Sequence, residues 1–362
     1  MIILGSTGSI GVNALDVCER FGIGIELLAA GSNVALLNSQ IKKFNPKFVC
    51  LFDSSKANEI ESCGAEVFVS NDGLLEALSK TSGKKVLNAI VGFAGLSATL
   101  ESIRLGKEVA LANKESLVAA GKFIDTSKII PVDSEHFALW YLNKGGSISK
   151  MVITASGGAL RDAPLSMIYA STVSDVLKHP NWTMGRKITV DSATMVNKLF
   201  EIIEAYWLFG DSLKYDAIIE TSSTIHAMIE FRDGVTTAQM SEPDMRLPIS
   251  YAINGEAVPN LFRPVDILGL GSLEFRTIDA ARYPAWRLKE ELLAYPSSAL
   301  VLNAANEIGV EAFLDERIAF GRVAEIIFES YDKYSSLEPK SIDDVFLIDS
   351  EVRGYARALI KT

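Results

Sequence analysis

The sequence predicts an α/β protein with a doubly wound parallel sheet at its N-terminus, a central α/β (α+β) region and a C-terminal helical bundle. Over the first 143 residues, short apolar runs bounded by turn residues alternate with amphipathic stretches. Repeated βα units of this kind, with strands buried on both faces, build a parallel sheet. Towards the C-terminus, Ala299–Phe313, Ala319–Tyr331 and Val352–Ile360 have helical periodicity and polar connections, the pattern of a bundle.

In chain order, Ile2–Leu4 is the first strand, and Ile10, Ala14, Val17 and Cys18 mark the helix behind it. Glu26–Ala30 precedes a helix carrying Val34, Leu37, Ile41 and Phe44. Phe48–Leu51 precedes Ser54–Ile60, and Glu66–Val69 precedes Leu74–Leu78. Val86–Ile90, Glu108–Ala112 and Ile129–Val132 complete the strands, separated by Leu96–Leu105 and Ser116–Phe123. Met151–Ala155 is β-like, and a helix from Asn197 continues into Ala205-Tyr206-Trp207-Leu208-Phe209. Ala304, Ala305 and Ile308 are expected in the core of the bundle.

Composition excludes several classes. At 362 residues the chain is long enough for two or three domains. A formal net charge of −10 argues against a general nucleic-acid binder, while leaving room for a basic pocket around a small phosphate. No apolar run reaches the ~18 residues of a membrane span, and Met1–Gly5 lacks the basic start of a signal peptide. Cys18, Cys50 and Cys63 show no CxxC spacing and fit a reduced compartment, so a cytoplasmic protein is expected. His136, His179 and His226 are too few and too scattered for a closed His/Cys zinc site. A metal here is expected to be hard, Mg²⁺ or Mn²⁺ on carboxylates.

Ligands of such sheets bind beyond the carboxyl ends of the strands, where strand order reverses. After the first strand comes Gly5-Ser6-Thr7-Gly8-Ser9-Ile10-Gly11, then a helix; the glycines let a pyrophosphate approach the helix N-terminus. The second strand ends Ala29-Ala30-Gly31-Ser32-Asn33, with no acid for a ribose 2′-hydroxyl, so NADP is expected over NAD. No Arg or Lys stands in that segment to clamp a 2′-phosphate. Ala112-Asn113-Lys114-Glu115-Ser116 puts an amide, an ammonium and a carboxylate at a strand-to-helix turn, which reads equally as a site or as capping plus a surface pair. Val132-Asp133-Ser134-Glu135-His136 also has two readings. In an extended segment Asp133 and Glu135 face one side and would share a cation. At a helix start they are an acidic N-cap and a first-turn Glu.

The middle of the chain looks like substrate apparatus. Ser156-Gly157-Gly158 after a strand is an anion nest or an ordinary turn. His179–Arg186 brackets Trp182 and Met184 between Pro180 and Gly185, which suits either a lid or a loop pinned to the core by Trp182. Further on, Asn197, Glu201 and Glu204 share one helix face with Lys198 beside them. Such a face is ordinarily solvated, yet this helix is expected to be buried at its far end.

In this order the motifs resemble the 1-deoxy-D-xylulose 5-phosphate reductoisomerase family of the non-mevalonate isoprenoid route. The matching segments are Gly5–Gly11, Leu111–Val118, Pro131–His136, Thr154–Gly158, His179–Lys187, Val190–Thr194, Asn197-Lys198, Glu242–Arg246 and Leu302–Ile308, spanning nearly the whole chain. The resemblance implies a Rossmann-like NADPH-binding domain over 1–143 and a catalytic domain over 144–254 with a lid at 179–187. A linker over 255–281 and a C-terminal helical domain over 282–362 follow. It implies that Asp133, Glu135 and Glu201 hold Mg²⁺ or Mn²⁺, and that Ser156, Ser192, Asn197 and Lys198 bind the substrate phosphate. Ser134 and His179 would also touch substrate, and Lys114 would face substrate and cofactor. Lys114, Asp133, Glu135, His179 and Glu201 would form the catalytic group. Thr7, Gly8, Ser9, Ile10, Gly31, Asn33, Asn113, Glu115 and Gly185 would contact NADPH, with Trp182 and Met184 in the lid. The implied reaction turns a phosphorylated sugar, 1-deoxy-D-xylulose 5-phosphate, into 2-C-methyl-D-erythritol 4-phosphate. The implied protein is a homodimer of the bacterial cytoplasm, or of an organellar stroma after removal of a transit segment, with neither nucleic acid nor membrane as partner.

Three segments depart from the family pattern. Ser32 stands where many relatives have a basic residue, so discrimination of NADPH from NADH is expected to be reduced. Glu220-Thr221-Ser222-Ser223 replaces a common His-Pro-Gln-Ser, and Ala159-Leu160 a usual Pro-Phe. None touches the implied metal or phosphate residues, so activity is expected to survive. Competing readings are an NADP-linked sugar-phosphate or semialdehyde dehydrogenase, which needs no three-carboxylate cation site, and a cofactor-sensing regulator, which needs neither Lys114 nor Glu201.

Overall fold

The computed structural model describes residues 1–361, and they fall into two compact units. The first comprises Met1–Ser116, Asp125–Phe137 and Asp244–Arg263. Its strands are β1 (Ile2–Leu4), β2 (Leu27–Ala30), β3 (Phe48–Leu51), β4 (Glu66–Val69), β5 (Lys85–Asn88), β6 (Glu108–Leu111) and β7 (Ile129–Pro131). All pair in parallel, in the order β4-β3-β2-β1-β5-β6-β7. Side chains alternate between two cores: Ile3, Leu28 and Leu87 enter one, Ile2, Leu27 and Val86 the other. That double burial is why the strands read as continuous apolar runs.

Each of the seven strands expected from the sequence is present, with ends shifted by at most two residues. β5 stops at Asn88 rather than Ile90 because the Asn88 side chain closes the turn. Its Nδ2 donates to Gly95 O (2.9 Å) and Thr99 Oγ1 (2.8 Å), and its Oδ1 accepts from Ile90 N (3.1 Å). β1 sits where the order reverses, with β2 on one side and β5 on the other. The chain returns to this unit at Asp244, where Arg246 grips Asp244 (2.6 Å) and Asp16 (3.3 Å). The helix it begins, Arg246–Asn254, buries Ile249 and Ala252 against the same core as Leu28 and Val132.

The second unit comprises Leu117–Ile124, Ala138–Pro243 and the chain from Pro264. Its strands β8 (Ile148–Ala155), β9 (Lys214–Glu220), β10 (Ile225–Phe231), β11 (Thr236–Met240) and β12 (Phe275–Arg276) lie in the order β11-β10-β8-β9-β12. Only β8 and β9 run parallel; the other pairs are antiparallel. Sheet residues Met151, Ile153, Ala217 and Ile229 pack on Ile202 and Ala205 of the helix Val196–Phe209. Phe200 and Ile203 of the same helix join Leu302, Ala304, Phe313 and Ile327 of the C-terminal helices. Ala304, Ala305 and Ile308 are buried as expected.

Helix extends beyond the segments expected from the sequence at two places. The last runs Ile342–Ile360, beginning at a capping box in which Ser341 and Asp344 satisfy each other's backbone amides. Thr189–Thr194 belongs to a helix, Arg186–Thr194, although Ile188, Thr189, Val190 and Thr194 are β-branched and poor helix formers. Burial of Thr189, Val190 and Ala193 overrides that propensity. Met195, at φ +67°, breaks it from the helix Val196–Phe209.

Candidate active site

In the first unit, the Gly5–Gly11 turn leaves β1 at the switch point. Gly5 has φ +81°, and a Cβ there would lie 2.5 Å from Ala89 O. A Cβ on Gly11 would lie 2.3 Å from Gly5 O, so the turn closes only without side chains at these positions. The helix Ser9–Arg20 starts within the motif, with Gly8 as N-cap, no capping side chain and no acid in its first turn. Gly8 and Ser9 are exposed, with Thr7 and Ile10 partly so. Uncapped amides at the positive end of a helix dipole fit a pyrophosphate. Gly31 and Asn33 are exposed at the end of β2, and Asn33 Oδ1 caps the helix Val34–Phe44 through Leu36 N (3.2 Å).

Asn113 is buried, and its Nδ2 donates to Ile90 O (2.6 Å), Gly92 O (2.7 Å) and Glu115 Oε2 (3.2 Å). Its Oδ1 accepts from Ser116 Oγ. The residue therefore ties the β5 and β6 ends together, whatever else it touches. Lys114, also buried, puts Nζ 2.5 Å from Asp133 Oδ2. The helix Ser134–Leu142 begins directly after Asp133, whose Oδ1 lies 3.4 Å from Glu135 N. The extended alternative for Asp133 and Glu135 is thus corrected: Ser134 and Glu135 are helical, and the N-cap geometry is the one adopted. Glu135 Oε2 accepts from Ser134 Oγ (2.6 Å). The donors here are hard carboxylate oxygens, and an ammonium already sits against one of them. That chemistry suits Mg²⁺ or Mn²⁺.

In the second unit, Ser156 directly follows β8, and Ser192, Asn197, Lys198 and Glu201 come from the two consecutive helices Arg186–Thr194 and Val196–Phe209. The Gly157-Gly158 turn has φ +87° and +68°, and a Cβ on Gly158 would meet Ser192 O at 2.7 Å, so the TASGG turn lies directly on the Ser192 backbone. Asn197, Lys198, Glu201 and Glu204 are all buried, against the ordinary expectation of a solvated face. Lys198 Nζ lies 2.6 Å from Glu201 Oε2, and Asn197 Nδ2 donates to Glu201 Oε1. His179 Nε2 lies 2.9 Å from Ser156 Oγ, while its Nδ1 accepts from Asn181 N (3.2 Å) and Trp182 N (2.9 Å). Two amides on Nδ1 leave the neutral ring's proton on Nε2, donating to Ser156. Burial, aided by the charges of Lys198 and Arg161, pushes His179 down to about 4. Trp182 stands edge-on to His226 at 6.1 Å, Met184 is partly exposed, and Gly185 is the N-cap of the helix Arg186–Thr194.

Four supporting residues had been given no role from the sequence. Arg161 Nη1 holds the carbonyls of Ser156 (2.8 Å) and Thr221 (3.0 Å). Asn181 Nδ2 reaches Thr221 O (3.0 Å) and Ser223 Oγ (2.7 Å). Glu220, in the segment that departs from the family pattern, is buried and accepts from Ser222, Thr224 and Ile225 amides, organising that turn by itself. Asn306 Nδ2 donates to Asp191 Oδ1 (2.8 Å), which joins the LNAANEI and VDSAT motifs. The signal was present: both motifs hold polar residues amid apolar ones.

Three family models match the chain: 1-deoxy-D-xylulose 5-phosphate reductoisomerase over residues 1–121, its C-terminal domain over 129–209, and the DXP reductoisomerase C-terminal domain over 240–355. The chain belongs to the 1-deoxy-D-xylulose 5-phosphate reductoisomerase family. It is accordingly an enzyme, an oxidoreductase of the reductoisomerase type. The reductoisomerase of Wolinella succinogenes is 51% identical over 360 residues, covering 99% of this chain and 100% of that protein. That of Helicobacter pylori J99 is 50% identical, covering 98% of both. Among solved structures, a DOX-P reductoisomerase in complex with NADPH, fosmidomycin and magnesium matches with TM-score 0.94 at 32% identity, covering 99% of this chain and 98% of that one. The Zymomonas mobilis reductoisomerase in complex with NADPH matches with TM-score 0.88 at 36% identity, covering 100% and 98%. Among the described residues no helix is long and apolar enough to cross a membrane.

Proposed function

We propose that this reductoisomerase converts 1-deoxy-D-xylulose 5-phosphate to 2-C-methyl-D-erythritol 4-phosphate in isoprenoid precursor biosynthesis, using NADPH and Mg²⁺ or Mn²⁺. The observation that carries the reading is the buried row Asn197, Lys198, Glu201. It sets donors for a phosphate one helical turn from a carboxylate for a cation, and burying such a row is costly unless it has work to do. The family's NADPH- and magnesium-bound structures support it.

Asp133, Glu135 and Glu201 are the ligands assigned to the cation, and the first unit's Gly5–Gly11 turn, with Gly31, Asn33, Asn113 and Glu115, is assigned to NADPH, as is Gly185. When bound, the cation supplies Lewis acidity to substrate oxygens and the dinucleotide supplies hydride. Ser156 Oγ accepts from His179 Nε2 and from Gly158 N (3.1 Å), so its own hydrogen points to a phosphate oxygen. Ser192, Asn197 and Lys198 add donors, and a phosphate held away from the reacting carbons aligns them. Lys114, fixed by Asp133, and Ser134 face the reacting oxygens. Trp182 and Met184 exclude water while the carbon skeleton rearranges. The active species is a homodimer of the cytoplasm.

Mn²⁺ titration by calorimetry tests the ligand assignment. Wild type is expected to bind one ion per chain with substrate analogue present, and Asp133→Asn, Glu135→Gln and Glu201→Gln each to weaken it at least about tenfold. Unaltered binding in all three variants would overturn the assignment.

A further inference from the structure

We infer that Lys56 recognises the 2′-phosphate of NADPH and sets this enzyme's preference over NADH. The inference rests on the NADPH reading above. In a doubly wound sheet the adenosine ribose lies at the carboxyl end of the second strand, where an acid selects NAD and a cation accommodates the 2′-phosphate. Here that end is Gly31-Ser32-Asn33, and no Lys or Arg occurs between Arg20 and Lys42. By sequence alone the phosphate has no counter-charge.

The fold supplies one from the next strand. Beyond the end of β3 the chain stays hydrogen-bonded to the end of β2: Phe52 N donates to Ala30 O (3.0 Å) and Asp53 N to Gly31 O (3.0 Å). Asp53 then caps a short 3₁₀ helix, Ser54–Glu59, which carries Lys56. The Lys56 ammonium comes back to Ser32, 3.4 Å from its carbonyl oxygen. A cation thus stands beside Ser32 although it lies 24 positions later in the chain.

Its surroundings suit a phosphate. The Lys56 side chain is 42% exposed, so the ammonium is open to a ligand. Its carboxylate neighbour, Asp53, is 3.8 Å away, a loose contact. That contact is to Oδ2, while the other carboxylate oxygen, Oδ1, accepts from Ser55 N (3.2 Å) and Ser55 Oγ (2.5 Å). Ser32 and Asn33 are exposed beside it, and the helix Val34–Phe44 opens there with no acid in its first turn. A 2′-phosphate would meet an ammonium, a hydroxyl and the positive end of a helix dipole. The reduced discrimination expected from Ser32 is therefore offset by Lys56.

Calorimetry on the full chain tests this with four probes: NADPH, NADH, adenosine 2′,5′-bisphosphate and adenosine 5′-monophosphate. Lys56→Ala is expected to weaken NADPH and the bisphosphate about tenfold while leaving NADH and the monophosphate within about twofold. Lys56→Glu should weaken the 2′-phosphorylated pair further, and Lys56→Arg should retain it. Equal effects on both pairs, no effect on NADPH, or a wild type that does not distinguish NADPH from NADH would each overturn the inference. A wild type that binds neither dinucleotide would overturn the NADPH reading as well. One that binds NADPH tightly with Lys56→Ala unchanged overturns only the role of Lys56.

Discussion

Lys198 and Glu201 form a buried ion pair within the helix Val196–Phe209, Nζ to Oε2 2.6 Å, with both side chains at most 7% exposed. Removing one member of such a pair takes away the other's buried counter-charge, at a cost of about 3–5 kcal/mol, whereas replacing both by apolar groups costs far less. Lys198→Met and Glu201→Leu alone should each lower the melting temperature of the metal-free protein. The double variant should lose clearly less than their sum. Strict additivity in this cycle would show that the two charges do not stabilise each other.

His179 gives a pH-dependent prediction. Its folded value is depressed to about 4 from 6.5 by burial and by the charges of Lys198 and Arg161. Between those values the unfolded chain takes up a proton that the folded chain refuses, so stability rises with pH across that window. The contribution is complete above about 6.5 and is lost as pH falls through about 4. With only three histidines, imidazole NMR can follow each one. A His179 resonance titrating near 6.5 would contradict the buried, neutral ring.

The dinucleotide turn makes a steric prediction. Gly11→Ala puts a methyl 2.3 Å from Gly5 O and should destabilise the protein by about 1–3 kcal/mol while weakening NADPH binding sharply. Gly24→Ala, with nothing within 4 Å of the added carbon, should change neither. Dinucleotide titrations with thermal melts compare the two, and equal behaviour would remove the turn from the site.

Trp182 stands edge-on to His226, and the covering role proposed for it makes a kinetic prediction. Trp182→Ala should raise KM or lower kcat and leave the NADPH dissociation constant unchanged. Unaltered kinetics would make Trp182 a packing residue.

Much of this was legible in the chain itself. The parallel strands are legible because most of their residues, such as Ile2, Ile3 and Leu4, are buried, and polar residues such as Glu66, Lys85 and Glu108 stand only at strand ends. The start of the last helix was hidden because Asp343 and Asp344 read as a polar loop, although they are its favourable first turn after Ser341. Asp133 and Glu135 could not be resolved by spacing, since a strand end and a helix start share the same two residues. The bond between Asp191 and Asn306 spans 115 positions, and the approach of Lys56 to Ser32 depends on how β3 runs beside β2. Such contacts are properties of the fold, and no local pattern encodes them.

The most direct test of the central claim is NADPH consumption with 1-deoxy-D-xylulose 5-phosphate, run with Mn²⁺ or Mg²⁺ and again after chelation, with the product identified by mass and NMR. The expected result is 2-C-methyl-D-erythritol 4-phosphate formed in step with NADPH loss, abolished by chelation and restored by added metal. Folded, metal-loaded protein that leaves NADPH untouched, or that forms product equally well after chelation, would contradict it.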